Sequence, residues 1–389
     1  MSFLLTYSDE FLKYSLGPNH PMRPDRIVAA MSLMDYHLRD NDDFKIIGPN
    51  PVDPSTLTLA HTEEYITLMK KLSVPDSNSY EDIEKGLFFY GLGTSDCPVF
   101  DHMAEVSDLI VGSTLTAAQS ILNNEFSNAF VLLAGLHHAS RERASGFCYY
   151  NDINVTIRKL QQENPKIKIL YLDTDLHAGD GVNYEFYNDP NVLTISFHES
   201  GKYLYPGTCF SDEIGSGDGE GYAINLPLYP NTYDSIYQKS IERYLPSFVE
   251  SFKPDIILWQ AGVDGHAMDP LGHLQLTTNT YDKLGTLVRK LSQHMEQPRV
   301  LAMGGGGYNP NSVARSWFVE VASLANVQIP DKTPKSWIER CKTEFNLDMP
   351  INLRDPKIEL SNYSVEIINN EHDKLTEYFE KCLSPYWSL

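Results

Sequence analysis

The apolar run Ile167-Lys168-Ile169-Leu170-Tyr171-Leu172 leads straight into Asp173-Thr174-Asp175-Leu176-His177-Ala178-Gly179-Asp180-Gly181. The run reads as a buried strand. Three carboxylates and an imidazole therefore crowd together at its end. Acids in such a place are costly unless something positive sits among them. A divalent metal is the most economical answer. Asp with His suits Zn2+ or another first-row ion such as Fe2+. Asp175 and His177 are alternate residues, so in extended backbone they point the same way. A site that activates water also needs a third ligand and an open position. Asp264 is the best candidate for that ligand, because it follows the small residues Ala261 and Gly262 at another strand end. Its plain alternative is a turn-capping Asp.

The rest of the chain says where such an end would lie. Strand-like runs occur at Phe3–Tyr7, Ala129–Ala134, Ile167–Leu172, Val192–Phe197, Asp255–Gln260 and Arg299–Met303. Amphipathic stretches lie between them at Pro24–Arg39, Phe100–Leu122, Tyr233–Phe252 and Tyr281–Met295. Such alternation predicts an α/β fold with a mainly parallel sheet between helices. Ligands then bind beyond the carboxyl ends of the strands. Four runs deliver polar groups there: Gly135-Leu136-His137-His138, the Asp173–Gly181 segment, Ala261-Gly262-Val263-Asp264, and four glycines followed by Tyr308. Residues 1–328 read as one catalytic domain. Residues 329–389, with five prolines and helix-like pieces at Ser336–Glu344 and Glu371–Leu383, read as a C-terminal extension packed on it.

Composition narrows the function. The 389 residues are 42% hydrophobic, enough to bury a large core. The net charge of −21 disfavours direct binding of nucleic acid, which needs clustered Lys and Arg. It favours cationic substrates such as lysine-rich peptides or polyamines, although solubility alone is the plainer account. Five dispersed cysteines without a CxxC pair argue against disulfides and thiolate zinc. The N-terminus reads as a strand, not a signal peptide. No run approaches a membrane span. A cytoplasmic protein is expected, or a nuclear one in a eukaryote.

Adjacent histidines at a strand end suit a hydrolase in which one group takes the proton of water and another protonates a leaving amine. Asp173 and Asp180 are available to orient the two imidazoles. The Gly304-Gly305-Gly306-Gly307 run lacks the Lys of a phosphate loop. It reads as a flexible loop presenting Tyr308, whose phenol can donate to a carbonyl oxygen as charge develops there. Two aromatic-rich segments, Ala144–Asp152 and Tyr203–Thr208, can be core or the walls of an alkyl-binding channel. Cys148 as a nucleophile is redundant beside metal chemistry.

With these pieces assembled, the chain resembles the zinc-dependent histone deacetylase family, which includes class I histone deacetylases, acetoin-utilisation-type proteins and acetylpolyamine amidohydrolases. The resemblance rests on His20-Pro21-Met22-Arg23-Pro24-Asp25-Arg26, Ser95-Asp96-Cys97-Pro98-Val99-Phe100, Gly135-Leu136-His137-His138-Ala139, Ala144–Asp152, Asp173–Gly181, Tyr205-Pro206-Gly207-Thr208 and Gly304–Asn309, in that order. It implies a three-layer α/β/α fold with an eight-stranded sheet, related to arginase. It implies Asp175, His177 and Asp264 as zinc ligands, and His137 and His138 as catalytic histidines backed by Asp173 and Asp180. Tyr308 becomes the carbonyl-polarising tyrosine. Phe147 and Tyr205 become tunnel walls, with Gly146, Leu271 and the rim residue Asp96 also binding substrate. Arg26 falls in an internal acetate-release cavity. A structural K+ is implied on oxygens of Asp173, Asp175, His177, Ser196 and Phe197.

The chain departs from the family pattern at Ala178, where many relatives carry histidine, and at Cys209 and Ala134, where glycine is usual. Tyr205 stands where phenylalanine is common, which adds a hydroxyl to the tunnel. The expected activity is hydrolysis of N-ε-acetyl-lysine in proteins, with sensitivity to hydroxamates. Acetylpolyamine deacetylation is the alternative. A non-catalytic acyl-lysine-binding scaffold would be expected to lack a ligand or Tyr308. A ureohydrolase would need more carboxylates for a second metal. The residues do not determine the oligomeric state.

Overall fold

The computed structural model describes residues 2–74 and 87–388. Eight strands form one sheet: β1 (Phe3–Thr6), β2 (Phe44–Ile47), β3 (Asn128–Val131), β4 (Ile169–Asp173), β5 (Val192–Glu199), β6 (Ala223–Leu228), β7 (Ile256–Gln260) and β8 (Val300–Met303). Their order is β2-β1-β3-β8-β7-β4-β5-β6 and every pairing is parallel. The inner strands β3, β4, β5, β7 and β8 are buried at every position. That pattern belongs to a parallel sheet covered by helices on both faces. The architecture is a three-layer α/β/α sandwich, as the strand–helix alternation predicts.

Two strands were not expected from the sequence, and both are sheet edges. β2 is short and half-exposed, with Lys45 inside it. β6 contains Pro227, whose missing N–H only an edge strand tolerates. The helix Asn362–Leu383 packs on β6, so this edge is covered.

Register does the positioning. Asp173 of β4 pairs with Gln260 of β7, Gln260 with Met303 of β8, and Met303 with Val131 of β3. The four central strands therefore end level, and the chain leaving each one enters the same rim. The long helix Met103–Leu122 packs against the helix Asp152–Glu163. The helices Asp25–Leu38, Thr278–Ser292 and Pro310–Leu324 pack together as another group.

Beyond residue 328 the chain stays in contact with this body. Trp337 is buried, and its indole donates to Ser32 Oγ at 2.9 Å. Tyr244 donates to Glu380 Oε1 at 2.7 Å.

Candidate active site

β4 stops at Asp173, so Asp175 and His177 lie in the irregular segment after it rather than in extended strand. They converge nonetheless, because hydrogen bonds fold the segment back on itself. Asp173 Oδ1 accepts from Asp175 N at 3.1 Å, and Asp175 Oδ1 accepts from His177 N at 3.0 Å. Asp264 joins from the end of β7, where its Oδ1 accepts from Leu176 N at 2.8 Å. One ligand atom each from Asp175, His177 and Asp264 lies within 4.8 Å of the others, and all three residues are buried.

Two glycines make room for this group. A Cβ on Gly262 would fall 2.1 Å from Asp175 Oδ2, and one on Gly306 would fall 2.2 Å from Asp264 Oδ2. Gly306 N and Gln260 Nε2 both donate to Asp175 Oδ2 at 2.8 Å, leaving the opposite oxygen toward His177.

The electrostatics ask for a cation. Among the described residues, the ion pairs of Asp173, Asp175, Asp180 and Asp264 involve only histidines. Burial, then the Asp175 charge, raises the Asp264 carboxyl above its ordinary range. Burial opposes charge on His177, but its bonds to Asp175 and Asp264 carry it up to about 10. The rise shows how strongly the two acids favour a positive charge between them. Two carboxylates and one imidazole suit a first-row divalent ion, so the residues fit a metal.

Beside this cluster stand two His–Asp pairs. His137 Nδ1 lies 2.8 Å from Asp173 Oδ2, which also accepts from Tyr171 OH at 2.6 Å. His138 Nδ1 lies 2.7 Å from Asp180 Oδ1. The two imidazole centroids are 4.1 Å apart. Their environments separate them. Burial lowers both, but Asp173 and Asp175 overcome it at His137 and lift it to about 9. His138 stays below its ordinary value, held there by burial and by the neighbouring His137 charge. The dyads also differ in access, since Asp173 is sealed while the Asp180 side chain is 21% exposed.

Aromatic side chains border the group. Tyr205 sits 5.0 Å from the His138 ring, and its hydroxyl is 2.6 Å from Ser145 Oγ. Phe147 packs edge-on to Tyr308 at 5.5 Å, with His20 behind it at 4.5 Å. Phe147 has φ +66°, an unfavourable backbone for a bulky residue, and Tyr14 OH holds its carbonyl at 2.6 Å. Gly146 lies flat on His138, where a Cβ would meet the ring at 2.2 Å. Its N–H donates to Asp96 Oδ2 at 2.8 Å. Burial and the charges of Asp264 and Asp175 keep the Tyr308 phenol protonated, well above its ordinary value. Leu271 is half-buried on the loop after Asp264. Ser196 Oγ lies 2.7 Å from His198 Nδ1 on β5, with Phe197 between them. Cys148 is buried and its thiol is pushed up by that burial, so it offers no thiolate.

The glycine loop differs from expectation: it is pinned, not free. Arg26 donates to the carbonyls of Gly305 at 3.1 Å and Gly307 at 2.9 Å, and Val263 N donates to Gly306 O at 2.9 Å. The Arg26 guanidinium is buried between the Tyr308 and Trp317 rings, at 5.9 and 5.2 Å.

Sequence reasoning passed over several residues that shape the site. Tyr171 faces Asp173 because they alternate along β4, a signal the sequence did carry. Gln260 ends β7. Asp152 accepts from Gly135 N and Leu136 N at 3.1 and 2.8 Å and so fixes the turn before His137. Asp269 and the Glu199–His273 pair were also missed, since neither follows a strand-end pattern with its partner.

Comparison with known proteins agrees with this geometry. The histone deacetylase domain matches residues 20–324. The acetoin utilization protein AcuC of Bacillus subtilis is 36% identical over 360 residues, covering 90% of this chain and 89% of that protein. Histone deacetylase 9 of Arabidopsis thaliana is 33% identical over 359 residues, covering 91% and 81%. Among solved structures, an HDAC homolog complexed with SAHA superposes with TM-score 0.81 at 29% identity, covering 96% of this chain and 99% of its own. An HDAC homolog from Aquifex aeolicus does so with the same TM-score and identity, covering 96% and 100%. A matching domain over most of the length, the shared sheet and a buried Asp–His–Asp group beside paired His–Asp dyads together mean that the chain belongs to the histone deacetylase family, with a deacetylase-type hydrolase fold and a site able to hold a metal ion.

Proposed function

We propose that the protein is a zinc-dependent amidohydrolase that removes acetyl groups from N-ε-acetyl-lysine of proteins and releases acetate. The observation that carries this reading is the meeting, at one buried rim, of an Asp175–His177–Asp264 group and two imidazoles with separate carboxylate partners. When bound by those three residues, zinc supplies a Lewis acid that polarises the amide carbonyl and makes water nucleophilic near neutral pH.

The remaining work falls to the chain. His138 takes the proton of the attacking water, with Asp180 steadying the imidazolium. His137, paired with the sealed Asp173, keeps positive charge beside the reacting centre. A histidine of the pair then protonates the departing lysine amine. Tyr308 donates its hydroxyl proton as a hydrogen bond to the developing oxyanion. Phe147 and Tyr205 flank the lysine alkyl chain. The Gly146 carbonyl accepts from the acyl-amide N–H, Asp96 accepts from the substrate backbone at the rim, and Leu271 lines the mouth. Arg26 serves an internal cavity through which acetate leaves. The family resemblance also supports a structural K+ on oxygens of Asp173, Asp175, His177, Ser196 and Phe197, and the dispersed free cysteines support a cytoplasmic setting. Residues 1–328 are the catalytic domain and 329–389 an extension packed on it, a packing supported by the Trp337 and Glu380 contacts.

The decisive assay uses protein loaded with one equivalent of zinc. Acetyl-lysine peptides, longer acyl-lysine peptides and acetylputrescine are compared, with a hydroxamate as inhibitor. Hydroxamate-sensitive acetate release, fastest from the acetyl-lysine peptide, is expected. Faster turnover of acetylputrescine moves the substrate to polyamines. No amide hydrolysis from any of them, at full zinc occupancy, ends the proposal.

A further inference from the structure

The Tyr308 loop poses a mechanical problem. It follows four glycines, with Gly305 at φ +63° and Gly307 at φ +131°, conformations that glycine adopts freely and with much entropy to lose. Arg26 fixes carbonyls upstream of Tyr308, and Phe147 touches its ring from the side. The backbone of Tyr308 itself is held by another group. Its N–H donates to Asp269 Oδ2 at 2.7 Å, while Asp269 Oδ1 accepts from Leu271 N at 3.0 Å. Asp269 is 7% exposed and forms no ion pair with Lys or Arg among the described residues. One buried carboxylate therefore spans two loops that carry different parts of the proposed site. A second tie runs parallel to it, from Asn309 Nδ2 to Met268 O at 3.0 Å.

We propose that Asp269 is the positioning residue for Tyr308: its carboxylate latches the glycine loop to the loop bearing Leu271 and so sets where the phenol points. This rests on the deacetylase reading for its catalytic consequence, but not for the latch itself. A carboxylate suits the task because both oxygens accept and neither donates. An asparagine keeps the shape yet turns an NH2 group toward one of the two N–H donors. It also replaces a charge-assisted bond with a neutral one. Glu199 steadies the far end of the Leu271 loop, accepting from His273 N at 2.8 Å and facing His273 Nδ1 at 2.7 Å. With that end held, loss of the Asp269 bridge is felt at the glycine loop.

The test compares zinc-loaded wild type with Asp269→Asn, each with and without Tyr308→Phe. Backbone hydrogen exchange over residues 304–309 is expected to quicken on Asp269→Asn while zinc stoichiometry stays unchanged. Turnover falls between about 10- and 100-fold, the order that a small misplacement of a reacting group produces. KM moves by less than about twofold, because the loss is of a contact made in the transition state. In the Tyr308→Phe background the same substitution lowers turnover by no more than about twofold, since two residues acting through one hydroxyl are not additive. If Asp269→Asn does not fold, Asn309→Ser serves instead. Serine still caps the following helix but cannot reach Met268, so the same non-additivity is expected with a smaller loss. Unchanged exchange at 304–309, or an equal fold-loss in both backgrounds, overturns the latch. A wild-type protein that hydrolyses no acyl-lysine refutes the deacetylase reading instead, and the exchange measurement still decides the latch.

Discussion

Asp264 and His266 lie two residues apart on one loop, yet they belong to different buried charge clusters. Asp264 joins Asp175, His177, His137 and Asp173, a group of acids and imidazoles with no Arg or Lys among their ion pairs within the described residues. His266 joins Asp355 and Arg315. There the Arg315 guanidinium, fully buried, donates to Asp355 Oδ1 at 2.7 Å, and His266 Nε2 faces Oδ2 at 2.8 Å. Thr278 N adds a further donor at 3.1 Å. Burial pushes the Asp355 carboxyl up, but His266 and Arg315 carry it well below the usual carboxylate range. The second cluster is closed, because its charges cancel within the chain. The first is open, because its acids meet only imidazoles among the described residues, which leaves a site able to take a metal ion. Burial and the presence of acids are common to both. Among the described residues, what separates the stabilising cluster from the candidate catalytic one is a guanidinium in direct ion pairing with the acid: Arg315 pairs with Asp355, whereas buried Arg26 binds loop carbonyls.

The largest effect is expected where the open cluster loses a donor. Asp264→Ala should abolish stoichiometric zinc binding and lower kcat/KM by more than the ~10²–10³-fold that follows loss of a single oxyanion donor. Zinc should raise the thermal midpoint of the wild type, since it binds only the folded site, and leave that of the variant unmoved. Full zinc occupancy in Asp264→Ala, measured by elemental analysis, would break the distinction.

The closed cluster should fail in the opposite manner. Asp355→Ala strands a buried guanidinium, a change that costs about 3–5 kcal/mol of stability. Zinc content of the folded protein should not change. The sign with pH follows from the lowered carboxyl. Its contribution is complete above the unfolded value of about 4 and is lost as pH falls toward the folded one. Chemical denaturation of Asp355→Asn should therefore show a shallower loss of stability below about pH 4 than the wild type. Parallel acid curves for the two proteins would show that Asp355 does not carry this charge.

A smaller effect should come from Tyr308→Phe, which touches the open cluster without altering its charge. Turnover should drop on the order of 10²-fold with zinc content intact. Unchanged turnover would remove Tyr308 from the proposed chemistry.

Much of the open cluster was legible because it is local in sequence. Asp173, Asp175, His177 and Asp180 sit together, and the other members follow strand ends that the apolar runs reveal. The closed cluster was not legible. Arg315 sits inside a helix, Asp355 in an irregular stretch, and His266 in a loop, so nothing in their spacing links them. The same holds for Asp269, whose two partners are backbone N–H groups and leave no side-chain signature. Edge strands failed for a different reason. β2 carries a lysine and β6 a proline, and both lack the continuous apolar run that marks a strand buried on both faces.

The finest distinction lies at Tyr205, where the wall of the open cluster carries a hydroxyl but no charge. Its OH and Ser145 Oγ, 2.6 Å apart, tie the segment after β5 to the one preceding Gly146. Tyr205→Phe removes a single neutral hydrogen bond at a half-exposed position, worth about 1 kcal/mol, or roughly a fivefold change in kcat/KM for an acetyl-lysine peptide. The ring and its contact with His138 remain, so zinc binding and the turnover of saturated enzyme should barely move. The change should appear instead in the ratio of rates for acetyl and longer acyl chains, because the hydroxyl pair narrows and polarises the wall that such chains would meet. An unaltered acyl ratio with lowered turnover would mean that Tyr205 acts through the His138 dyad and not through the wall, and would enlarge the open cluster by one residue.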